Sequence, residues 1–416
     1  MCKRQGLTRS PFIRSPLWLR ISLLALVALV SPVCSTKLDA QILAKPSSEM
    51  MAGLQPFVDH HTLAGAVVLV ANKDKVLSLT PIGYADLGAQ KKMAPDTLFW
   101  IASMSKPMTA TALMMLVDEG KVNVDDPVEK YLPEFKGQMY VAEKDENHIL
   151  LKKPRHPILV RNILSHTSGL AHLSPMEKPA GPGNATYDVL SLADAVHGHA
   201  MSSLKFDPDS SFEYSNAGIN TAGRIIEVVS KMPYEQFMAE RLFKPLGMTD
   251  TTFIPTGEQL QRLAKSYMAN PEKNGLKERP IHQLSYPLTN PRRAPMPAGG
   301  LFSTASDIMK FCQMILNNGV SGGKRYISEA ALKAMTSKQT GDANKQNYGF
   351  GWSMADGTIG HGGAYKTDMT IDPKLGLITV FLVQQQGDWP NKDGGHILSV
   401  IRAKASTFGA DTIKDK

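Results

Sequence analysis

Cysteine is nearly absent from this chain: of three in 416 residues, Cys2 and Cys34 fall in or beside the opening segment, and Cys312 stands alone in the body. The body can close no internal disulfide, and Cys312, inside an apolar helical pattern, reads as a small buried hydrophobe. Metal-ligand spacing is missing as well, since His60 and His61 have no further ligand at a usable distance and no Cys/His cluster occurs. There is no glycine-rich phosphate loop, no internal repeat and no low-complexity tract. No cofactor and no metal are expected. What remains is ordinary globular composition, with 43% hydrophobic, 20% charged and 7% aromatic residues, enough chain for one large domain or two subdomains.

The formal charge of +8 invites a nucleic-acid reading, but the first forty residues alone carry +5 of it through Lys3, Arg4, Arg9, Arg14, Arg20 and Lys37 against Asp39. The dispersed +3 left for the body is no nucleic-acid footprint. That opening segment is laid out as a secretory leader: basic residues, a run over 21–30 that is apolar except for Ser22, then Pro32 and small residues. The run is short of the roughly 20 residues a membrane span needs. Cleavage after Ser35 or after Ala40 is open, and Ser31-Pro32-Val33 before Cys34 lacks the leucine of a lipidation site. Residues 1–40 are therefore expected to be a signal peptide, with an uncleaved anchor as the alternative, and 41–416 a periplasmic or secreted domain.

Along the body, residues 49–60 make an amphipathic helix, and strand-like runs at 65–71 and 76–82 are split by the turn Asn72-Lys73-Asp74-Lys75. From 121 to about 345 the pattern is helices, long loops and proline-rich turns, with helices expected at 160–170, 190–199, 217–231 and 306–318 and a short hairpin within 139–151. Strand character returns at 348–354, 358–359, 370–371 and 377–384, before a last helix over 395–407. Strands near both ends with helices between them predict an α+β fold: one antiparallel sheet (parts 41–120 and 346–416) with a mostly helical insert over 121–345.

Three constellations carry chemistry. Ser103-Met104-Ser105-Lys106 opens an apolar stretch in which Pro107 suits only a first helical turn and Gly120 a C-cap, so a buried helix should run from near Ser103 to near Glu119. Lys106 then lies one turn from the serine, and burial, the helix N-terminus and the lack of a nearby carboxylate should push its pKa down, as a base requires. The same spacing occurs at Ser202/Lys205 and Ser321/Lys324, but in loops, where it reads as chance. Tyr214-Ser215-Asn216 precedes a helix. A tyrosine near a lysine can be partly phenolate and shuttle protons, and an asparagine can hold a carbonyl; the bland alternative is an asparagine that merely caps the helix. Gly360-His361-Gly362-Gly363-Ala364 lies in strand-rich sequence, where glycines admit close approach and N–H groups can bind an oxyanion; a bulge with a surface histidine is the bland alternative. His166 reads as a structural hydrogen-bonding residue, and Asp125 and Asp126 as a loop or helix start.

In that order, Ser-x-x-Lys, Tyr-x-Asn and His-Gly-Gly resemble the superfamily of serine β-lactamases, D-alanyl-D-alanine peptidases and related esterases, most closely its class C branch. Supporting stretches are Leu98 to Lys106, Leu164 to Leu170, Pro245-Leu246-Gly247-Met248, Ala298 to Thr304 and Tyr348 to Trp352, which together span nearly everything after the leader. The resemblance implies the β-lactamase/transpeptidase-like fold and an acyl-enzyme mechanism. In it Ser103 is the nucleophile, Lys106 and Tyr214 move its proton, Asn216 orients the substrate, and the N–H groups of Ser103 and Ala364 form an oxyanion hole beside Gly362 and Gly363. His361 stands where the family's β-lactamases carry a lysine that clamps a substrate carboxylate, a departure that resembles the family's esterases. The expected activity is carboxylester hydrolysis on a small molecule. A β-lactamase or peptidoglycan D-alanyl-D-alanine carboxypeptidase is the rival, and an acylatable sensor without turnover the rival of another class.

Overall fold

The computed structural model describes residues 45–172, 174–176, 188–342 and 344–414; the expected leader and most of the 174–186 loop lie outside the described residues. The 65–86 hairpin forms as predicted, as strands β1 (Gly65–Asn72) and β2 (Val76–Asp86). Asn72 turns it, its side-chain oxygen accepting the N–H groups of Asp74 at 2.9 Å and Lys75 at 2.8 Å. With β3 (Lys91–Lys92), β4 (Ser353–Ala355), β5 (Thr358–Gly362), β6 (Asp368–Asp372) and β7 (Leu377–Leu382), they make one seven-stranded antiparallel sheet ordered β4-β5-β6-β7-β1-β2-β3. The sheet is thus assembled from two distant parts of the chain.

The central strands are apolar at nearly every position because both sheet faces are covered. Ala66, Val68 and Val70 point to one face, where they meet Met50 and Leu54 of the N-terminal helix (Ser48–Asp59) and Ile397 and Ile401 of the C-terminal helix (Ile397–Lys414). Val67, Leu69 and Ala71 point to the other, into a core shared with Met108 and Leu113 and with Ile308 and Cys312 of the helix Ala305–Leu316. Each valine, leucine, isoleucine or methionine among them contributes on the order of 2 kcal/mol by burial. Cys312 is free and fully buried, and burial pushes its thiol well up.

The central helix, Ser105–Asp118, is buried on every side from Ser105 to Leu116 and ends as expected, with Glu119 as cap and Gly120 at φ +67°. Against it pack Asn216–Ser230 and, beyond, Val160–Ser165 and Leu192–Ala200. The helix expected over 160–170 stops at Ser165, because His166 (φ +62°) and Gly169 (φ +76°) adopt left-handed conformations that break it. The strand expected over 348–354 shrinks to Ser353–Ala355: Gly351 (φ +75°) kinks the segment onto the central helix, where a Cβ would sit 2.9 Å from the Lys106 carbonyl oxygen. A three-stranded sheet, Gln385–Gln386 with Tyr267–Ala269 and Leu276–Glu278, lies partly in a stretch with no readable pattern. No helix among the described residues is long and apolar enough to cross a membrane.

Candidate active site

The chain reaches Ser103 through a strained turn. Phe99–Trp100 pairs with Phe302–Ser303, Ala102 takes a left-handed conformation (φ +46°) uncommon for a residue with a side chain, and a 3₁₀ turn, Ala102–Met104, leads into the central helix. The turn is held at both ends: Ser105 Oγ donates to the Ala102 carbonyl at 2.7 Å, and the Ile101 N–H to that of Leu301 at 2.9 Å. Ser103 emerges partly exposed while its neighbours are buried.

Lys106 is completely buried and has no carboxylate partner among the described residues. Burial holds its pKa well below the usual lysine value. Its Nζ lies 3.0 Å from Ser103 Oγ, 2.8 Å from Asn216 Oδ1 and 2.8 Å from the Ala298 carbonyl oxygen. The last two atoms can only accept. A neutral amine satisfies the set without remainder: its two N–H bonds go to Asn216 and Ala298, and its lone pair faces the serine O–H. The Ala298 carbonyl is itself fixed, since Asn220 Oδ1 accepts the Ala298 N–H at 3.1 Å and Trp100 Nε1 donates to the Gly299 carbonyl at 2.8 Å.

Asn216 is not the helix cap. Ser215 fills that role, its hydroxyl accepting the Ala217 N–H at 3.1 Å, which leaves the Asn216 amide free for Lys106. Tyr214 hydrogen-bonds Ser103, and the Lys106 Nζ lies 4.7 Å from the centre of the tyrosine ring, over its face. Tyr214 leaves 36% of its surface open, as a wall of a cleft does, yet its hydroxyl is turned inward and burial pushes its pKa up. The partial phenolate expected from a neighbouring lysine is therefore not the resting state; the resting hydroxyl is a protonated donor. His166 is structural, as expected: its Nδ1 accepts the Ser215 N–H at 3.2 Å and its ring lies 4.5 Å from that of Tyr214.

The glycine segment closes the opposite side. Gly363 donates to the Thr367 carbonyl at 2.7 Å and lies so near the serine turn that a Cβ there would sit 2.6 Å from the Ile101 carbonyl oxygen. This brings Ala364 onto the same cavity wall as Ser103. The cavity, about 190 Å³, is also lined by Trp100, His172, Gln283 and Met296, none of them named as a site residue from the sequence. His361, Gly362 and Gly363 are not among the residues that line it. His361 is buried, its Nδ1 2.7 Å from the Gly362 carbonyl oxygen and its Nε2 2.9 Å from the Tyr348 hydroxyl. Burial, reinforced by the nearby Lys106, lowers its pKa to about 3.

A nucleophile-bearing turn, a buried lysine and a mixed helix-and-sheet fold of this topology define a serine hydrolase. The chain belongs to the Beta-lactamase family, whose model matches residues 52–400. Protein Rv1367c of Mycobacterium tuberculosis is 31% identical over 370 residues, 81% of this chain and 90% of that one. Esterase EstB of Burkholderia gladioli is 25% identical over 394 residues, 84% and 94% of the two chains. Among solved structures, EstCE1, described as a hydrolase with promiscuous acyltransferase activity, shares the fold with a TM-score of 0.72 at 23% identity, covering 88% of this chain and 99% of that one.

Proposed function

We propose that the chain hydrolyses small, uncharged carboxylic esters through an acyl-enzyme on Ser103. The observation that carries the substrate class is the charge of the cleft: among the described residues that line it no side chain is an aspartate, glutamate, arginine or lysine, and His361, where a clamp for a carboxylate is expected, is neutral and turned away. A β-lactam or a peptide ending in D-alanine brings a carboxylate that this wall does not pair, a loss the desolvated site makes costly. The name of the similar Burkholderia protein points the same way.

In this reading neutral Lys106 takes the Ser103 proton as Oγ attacks the ester carbonyl, and the N–H groups of Ser103 and Ala364 receive the developing oxyanion. Tyr214 protonates the departing alkoxide. The phenolate left behind takes a proton from water as that water attacks the acyl group, and the Lys106 ammonium returns its proton to Oγ, so the cycle closes with ester and water becoming acid and alcohol. We also place the protein outside the cytoplasm, on the strength of the basic and apolar layout of residues 1–40; fractionation that finds the full-length chain in the cytoplasm would reject this.

The test is to label the protein with a fluorophosphonate, map the adduct, and assay p-nitrophenyl acetate, a chromogenic cephalosporin and a D-Ala-D-Ala peptide beside Ser103→Ala. Label on Ser103 and multiple turnover of the ester alone are expected. Undiminished turnover by Ser103→Ala would refute the mechanism, faster turnover of the cephalosporin or peptide would refute the substrate class, and a stoichiometric burst without turnover would show an acylatable sensor.

A further inference from the structure

His361 occupies a position that faces substrate only on paper. The Gly362 carbonyl can only accept, so Nδ1 carries the proton and Nε2 the lone pair; Tyr348 therefore donates its O–H to Nε2. The Tyr348 hydroxyl, fully enclosed, has no other partner among the described residues. A second proton on the ring would turn that hydroxyl from donor to acceptor and deprive its hydrogen of the partner it has. Among the described residues no carboxylate pairs with the ring to balance such a proton. Lys106 approaches from the central helix, and His166 and Tyr214 from the helical side, the Tyr214 ring 6.1 Å away. Across the sheet Asp368, opposite Gly362, is half-buried, and its carboxylate accepts from Thr370 at 2.9 Å.

The bond to the Gly362 carbonyl continues toward the serine. The next residue, Gly363, is tied to Thr367 and pressed against Ile101, two residues before Ser103, and Thr367 Oγ1 lies 3.4 Å from that same Ile101 carbonyl. Tyr348, His361, the Gly362 peptide and the Ala364 N–H are thus one connected line ending at the cavity wall.

We propose that Tyr348 and His361 form an uncharged strut that fixes the Gly362–Ala364 backbone relative to Ser103, so that His361 is a positioning residue for the oxyanion-binding N–H and makes no contact with substrate. This rests on the acyl-enzyme reading above. The strut acts on the tetrahedral state, where the N–H bond to oxygen matters most, and hardly on ground-state binding.

The experiment measures pre-steady-state acylation by p-nitrophenyl acetate, separating maximal rate from apparent Kd, together with the affinity of phenylboronic acid, which forms a tetrahedral adduct on a nucleophilic serine. In His361→Leu the maximal rate should fall about ten- to a hundredfold with apparent Kd within about twofold, and boronate affinity should fall in step. His361→Asn, which can still donate to Gly362, should recover part of the loss, and Tyr348→Phe should lose about threefold. A raised Kd at unchanged rate, or unchanged boronate affinity, would overturn the strut. Should the leucine variant not fold, ¹⁵N NMR of the parent decides: one imidazole, assigned by its disappearance in His361→Asn, should stay protonated on Nδ1 and bare on Nε2 from pH 5 to 8, and uptake of a second proton in that range would overturn it. Retained boronate binding in Ser103→Ala would sink the acyl-enzyme reading instead, and the NMR result would still decide the state of His361.

Discussion

Lys106 and His361 are two basic side chains buried in the site, and they differ in where the lone pair points. Neither has a carboxylate partner among the described residues, and burial drives both toward the neutral form. Around Lys106 two acceptors absorb the N–H bonds and the lone pair is left for Ser103; around His361 a carbonyl takes the N–H and the lone pair is spent on Tyr348. Desolvation sets the charge, and the hydrogen-bond partners decide whether a neutral nitrogen becomes a base or a support.

The comparison breaks most sharply at Lys106. Lys106→Met should cut ester turnover by about 10³-fold while the protein stays folded, because the general base is gone and a buried amine is replaced by a side chain of similar shape; a loss under tenfold would deny the lysine its role. Next in size is Asn216→Leu, which removes one acceptor. Turnover should fall about thirtyfold, and the acidic limb of the rate profile should move to lower pH, since the lost acceptor favoured the ammonium. A limb that moves up would contradict the neutral-lysine arrangement. Gly363→Ala acts on the other wall: its Cβ meets Thr367 and the Ile101 backbone, so chemical denaturation should show a loss of about 2 kcal/mol together with slower acylation. Ser215→Ala should cost only about 1 kcal/mol through the lost cap and loosen Asn216 slightly.

Acid stability sharpens the contrast on the His361 side. The free imidazole value is 6.5 and the folded value about 3, so between them the unfolded chain binds a proton that the folded one refuses. Stability from this group is complete above pH 6.5 and is lost as pH falls toward 3. His166 acts in the same sense, its pKa also lowered by burial. Urea titrations at pH 7 and pH 5 should therefore show a smaller acid-induced loss in His361→Asn than in the parent, and an equal loss would place the histidine in water.

Much of the site was legible because its signals are local. Ser103 and Lys106 stand one helical turn apart in an apolar run ended by Gly120, and the hairpin turn at Asn72 follows from its own side chain. Asn216 was ambiguous between cap and ligand because both residues of the Ser215-Asn216 pair can cap, and only the fold shows that Ser215 does. The stretch that begins at Ala298 was marked only as part of the resemblance, and the role of its carbonyl could not be read, being that of a backbone atom 192 residues from the lysine it serves. The segment 348–352 was misread as strand because aromatic and glycine residues alternate there, whereas Gly351 kinks it to approach the central helix. His361 was visible as a residue but not in its role, which depends on the Tyr348 hydroxyl.

The most direct measurement of the central claim is the pH dependence of fluorophosphonate labelling of Ser103 in the parent and in His361→Asn. The account predicts one ionisation on the acidic side, below the ordinary lysine value because Lys106 is buried, with the same midpoint in both proteins and only the plateau lowered in the variant. Loss of that ionisation in His361→Asn would show that the histidine is the group that titrates, and would contradict the assignment of Lys106 as the base.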